Sequence, residues 1–75
     1  MIKINYQIEG YGLDDLLVFE INIDPKYNNY IRLFLGIEKD FVYMLVLTND
    51  QIKILAKKFN FDVQDNIEYF LSPYA

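Results

Sequence analysis

The stretch FVYMLVL, residues 41–47, limits what this chain can fold into more than any other. On a β-strand successive side chains point to opposite faces. Phe41, Tyr43, Leu45 and Leu47 would then share one face, and Val42, Met44 and Val46 the other. Both faces are apolar, so such a strand needs cover on two sides. A chain of 75 residues has enough helix to cover one side of a sheet and little to spare for a second. A domain of this size buries only about 60–65% of its unfolded surface, which leaves its stability marginal. Small domains usually add disulfides, a metal or self-association. The sequence holds no Cys and no His, which points to self-association or another protein partner.

The rest of the chain supplies the context for that stretch. In IKINYQIE, Ile2, Ile4, Tyr6 and Ile8 alternate with Lys3, Asn5, Gln7 and Glu9, the period of a half-buried strand. GYGLDD follows as a turn, and LLVFEINID places Leu17, Phe19, Ile21 and Ile23 on one side against Val18, Glu20, Asn22 and Asp24 on the other. Two such runs so close together predict an antiparallel hairpin. After the break at PKYNN, YIRLFLG is assigned as a third strand, residues 30–36, with a helix over 30–37 as the rival. The stretch 41–47 becomes the fourth strand. At Thr48 the period changes: Thr48 and Gln51 match a capping box, and Leu47 can staple Ile52. Ile52, Leu55, Ala56 and Phe59 then form a buried stripe on a first helix. Asp62 is expected to cap a second helix with the stripe Val63, Ile67, Phe70 and Leu71, ending at Pro73.

These elements predict a single small α+β domain over residues 1–75, a four-stranded antiparallel β-meander followed by two short helices packed on one face, in the order ββββαα. With the helices on one face, the other stays open. Strands 1 and 2 would present polar groups there, whereas Phe34, Val42, Met44 and Val46 would form an apolar patch beside Tyr30. A patch of this kind on a small domain is an interaction surface, and Tyr suits positions with one end buried and one wet.

Composition excludes most chemistry. Without His or Cys, and with one Ser and one Thr, the usual nucleophile and base pairs cannot be assembled, so no catalytic, cofactor or metal residue is assigned and no cofactor is expected. Asp14 with Asp15, and Asp62 with Asp65, are turn and cap residues before they are metal ligands, because hard cations want six or more oxygens. Charge is uneven along the chain. Glu9, Asp14, Asp15, Glu20 and Asp24 make the first third acidic, six bases make residues 26–58 basic, and the tail is acidic again. A sequence pI near 4.5 argues against direct nucleic-acid binding. The start lacks a signal-peptide core, and no run approaches the roughly 18 apolar residues of a membrane span. A soluble, cytoplasmic, complete chain is expected.

The function that fits is a non-enzymatic protein-interaction module, a homodimer or an inhibitor or adaptor that docks its sheet face, or the acidic hairpin at Asp14 and Asp15, on a partner. Enrichment in Ile, Lys, Asn, Phe and Tyr, residues with AT-rich codons, suggests a low-GC genome. A phage or mobile-element inhibitor of a host enzyme or of a defence system such as CRISPR would fit that background. The alternative is a nucleic-acid-associated regulator using the helix with Lys53, Lys57 and Lys58.

Overall fold

The structure, a computed structural model, describes residues 4–39 and 41–74. Ile2 and Lys3 of the expected first strand, and Asp40 of the expected turn, lie outside the described residues. The first hairpin forms as its alternation dictates, from β1 (Asn5–Tyr11) and β2 (Leu17–Asn22). Its ladder shifts register between Gly10 and Tyr11. Gly10 is needed there, because a Cβ would stand 2.9 Å from Ile67 Cγ2 and 3.1 Å from Tyr69 Cε1. The connection is a three-residue loop: the Asp15 N–H donates to Gly12 O, the Gly12 N–H to Leu16 O, and Asp15 takes φ 59°. This is the tight, twisted loop that favours a left-handed residue at its third position.

Beyond the hairpin the chain departs from the expected order. Residues 30–36 are not a strand. A 3₁₀ turn (Pro25–Tyr27) runs straight into α1 (Asn28–Leu35), which is the rival assignment. The Asp24 carboxylate accepts from the Lys26 N–H, Pro25 sits where a helix start tolerates a missing N–H, and Gly36 closes α1 at φ 67°. Ile31 is buried between half-buried Tyr27, Phe34 and Leu35, a spacing of three and four residues.

The opening stretch yields only a two-residue strand, β3 (Leu45–Val46). It leads into α2 (Asn49–Phe59), where both halves of the expected capping box are made: Gln51 N–H to Thr48 Oγ1 at 3.1 Å and Thr48 N–H to Gln51 Oε1 at 2.9 Å. Asn60 ends the helix in the left-handed conformation. The expected second helix from Asp62 is instead an irregular loop and then β4 (Glu68–Tyr74), a strand that includes Pro73. Alternation explains the difference. Tyr69 and Leu71 are buried while Glu68 and Tyr74 are exposed, a period of two with aromatic enrichment, and the helical stripe leaves Val63 exposed.

The result is an α+β fold with a four-stranded antiparallel sheet in the order β2-β1-β4-β3 and two helices. Along the chain the order is ββαβαβ, since one helix precedes β3 and one strand follows α2. Tyr6, Ile8, Tyr69 and Leu71 of the sheet and Ile23 just past β2 share one core with Ile31 of α1 and Ile52 and Leu55 of α2. Both helices therefore lie on the same face, as expected, and the opposite face is open.

Candidate functional site

The open face is built by the odd positions of β1 and their ladder partners. Register puts Glu20, Glu9, Phe70 and Val46 in one row across the four strands, with Asn22, Gln7 and Ser72 in the row on one side and Tyr11 with Glu68 on the other. The β2 and β1 half carries Glu20, Glu9, Asn22 and Gln7, with exposed Leu17 opposite Tyr11, whereas on the β4 and β3 half the apolar pair Phe70 and Val46 lies between Ser72 and Glu68. Glu9 and Glu20 face each other directly, a like-charge arrangement that is unfavourable in itself. Glu9 is nonetheless buried on this face, accepting from Gln7 Nε2 and, at 2.9 Å, from the Tyr11 hydroxyl. Its acceptance of that bond, with added burial and the charges of Glu9 and Glu20, raises the Tyr11 phenol above its ordinary value. Tyr11 also meets Phe70 edge to face at 5.6 Å.

Val42, Met44 and Val46 of the expected patch are exposed in one run, together with Tyr43. Val46 lies beside Phe70 on the open face. Phe34 and Tyr30 do not join them. Carried by α1, they stack on each other at 5.9 Å and pack against the core from the helix side, where Tyr30 also meets Phe59. Asp14 and Asp15 are exposed at the hairpin tip. They sit among apolar side chains that the sequence reading treated only as turn or strand: Leu13, Leu16, Leu17 and Val18, all exposed. The signal was available, because a three-residue loop buries nothing and a leucine inside one is spent on solvent or on a partner. Phe70 was missed for a different reason, since it was assigned to a helix stripe.

The helix layer carries the bases. Lys26, Arg32, Lys53, Lys57 and Lys58 belong to the 3₁₀ turn, α1 and α2. The three lysines of α2 do not form one array. Lys58 is drawn over the Tyr30 and Tyr27 rings, 4.9 and 5.4 Å from their centroids. Lys53 instead lines a groove of about 510 Å³ between the start of α2 and the 63–67 loop, with Asn49, Gln64 and Asp65. In that groove the one hydroxyl, of Tyr69, accepts the Gln64 N–H at 3.0 Å. Among the described residues no group of three or more Asp or Glu side chains is gathered to hold a metal, and no helix is long and apolar enough to cross a membrane. No protein-family model, curated protein or solved structure matches this chain.

Proposed function

We propose that this chain is a non-enzymatic interaction module that docks on a larger protein through the exposed segment 42–46 and the adjoining Phe70 on the open sheet face. The observation that carries this reading is that Val42, Tyr43, Met44 and Val46 each leave half or more of their surface in water, between 50% and 72%. Segments of this kind on a small domain mark contact sites. At about 25 cal/mol per Å², a patch of roughly 300 Å² is worth about 7 kcal/mol gross, and association consumes at least about 4. The segment is then an anchor and not a whole interface. A standard contact covers about 800 Å² on each partner, which brings in Phe70 and the acidic rows. Inhibition of a host enzyme or defence complex is the use that best fits a small acidic protein rich in residue types that AT-rich codons encode.

Affinity capture from a low-GC bacterial lysate, with wild type and Met44→Lys side by side, tests the reading. A host protein retained in stoichiometric amount by wild type and lost with Met44→Lys is expected, followed by the same result with the purified pair. Capture that ignores the substitution overturns the anchor. The segment also suits a twofold contact with Met44 near its centre, because a symmetry axis brings the same patch together. A dimer in light scattering that Met44→Lys dissolves would make the partner a second copy.

A further inference from the structure

The two most exposed large apolar side chains among the described residues are Leu13 and Leu33, at 86% and 85%. They stand in opposite electrostatic surroundings. Leu13 occupies the hairpin loop beside Asp14 and Asp15, and the hollow next to it is lined by Glu68 as well. Leu33 lies on α1 at a groove of about 300 Å³ whose other lining residues are Asn29, Arg32, Ile37, Glu38 and Lys39. Neither leucine serves its own fold. Leu13 is held on a rigid support, because two backbone hydrogen bonds of 3.0 Å close its loop. At the groove the Arg32 guanidinium donates to Asn29 Oδ1.

We propose that the hairpin tip docks in the Leu33 groove of a second copy of this chain, Leu13 entering between Leu33 and Ile37 while Asp14 and Asp15 meet Arg32 and Lys39. Apolarity and charge sign match on the two surfaces, and a loop already closed by its own hydrogen bonds loses little freedom on docking. Glu38 is the one opposing charge on the groove rim. Because the two patches differ, the contact either closes reciprocally or propagates head to tail. It uses a different surface from the 42–46 segment and stands or falls separately from it.

The test is sedimentation velocity at rising concentration on full-length wild type, Leu13→Glu, Leu33→Glu and Met44→Lys, with far-UV circular dichroism as the folding control. Wild type should associate, more weakly in 1 M NaCl, where the screening length falls to about 3 Å. Leu13→Glu and Leu33→Glu should each weaken self-association by at least about tenfold, and Met44→Lys should leave it unchanged. An equal mixture of Leu13→Glu and Leu33→Glu should recover a 1:1 complex, since it retains one intact tip and one intact groove. Monomeric wild type at about millimolar concentration overturns the proposal and leaves the tip to a foreign surface. So does association that survives Leu13→Glu, or a mixture of the two variants that stays monomeric.

Discussion

Glu9 and Tyr11 show how single side chains stabilise an open sheet face that would otherwise set carboxylates against each other. Glu9 lies opposite Glu20 across the hairpin, and the hydrogen bonds it accepts from Gln7 and Tyr11 keep its charge compensated. The Tyr11 bond needs the phenolic proton, so the folded state raises this pKa above its ordinary value, the Glu9 hydrogen bond being the largest cause. The sign of the pH dependence follows. A group whose pKa is raised by folding contributes fully below its unfolded pKa, about 10 for tyrosine, and loses that contribution as pH climbs through the folded value. Wild type should therefore be more stable than Tyr11→Phe by a constant margin at neutral pH, with the margin shrinking above about pH 10. Urea midpoints of both proteins across that range check it. A margin that grows with alkalinity would contradict the hydrogen bond.

At the scale of elements, α2 was the most legible because every local signal agreed. Thr48 and Gln51 cap it reciprocally, Leu47 and Ile52 are both buried at its start, and its stripe of Ile52, Leu55 and Ala56 is the face that meets the core. Thr48→Ala should lower stability by about 0.5–2 kcal/mol, read from the denaturant midpoint at unchanged slope. The hairpin was clear from β1 and from Phe19 onward in β2, but the register shift at Gly10 and Tyr11 pairs Leu17 with Tyr11 on the open face, away from the side on which alternation had placed it. The two misplaced elements failed where periods overlap. YIRLFL satisfies both a period of two and a period near 3.6, and the deciding information lay outside it, in Asp24-Pro25 before and Gly36 after, which together frame a helix. For residues 62–73 the aspartates imitated a cap and Pro73 imitated a stop. Pairing with β1, a long-range contact absent from any local window, makes Glu68–Tyr74 a strand. The candidate surface divided along the same line: Val42, Met44 and Val46 stayed outside in either conformation, whereas Phe34 followed α1 to the helix side.

The whole molecule answers why FVYMLVL, so strand-like by itself, pairs for only two residues. Leu47 donates to the Tyr69 carbonyl at 2.9 Å, and the register continues with Leu45 opposite Leu71. Backbone groups of successive residues alternate sides in an antiparallel ladder. Residues 69 and 71 therefore point theirs at β3, and the next rung would join residues 43 and 73. Position 73 is proline, which has no N–H to give, and its nitrogen faces the open edge, where a sheet tolerates it. The opposite edge, β2, is blunted by its register shift and by Glu20. Pro73 thus ends one sheet edge and, in doing so, keeps Val42, Tyr43 and Met44 free of the ladder as the proposed anchor. Pro73→Val should restore the missing donor and let β3 grow back to Tyr43. In hydrogen exchange the new amide at 73 and the Tyr43 amide should become protected, while β1 and α2 amides stay as they were. The same variant should bind a partner captured through Met44 less well, because the anchor is now held in the sheet. If residues 73 and 43 exchange as fast as exposed loop amides, proline is not what stops the strand.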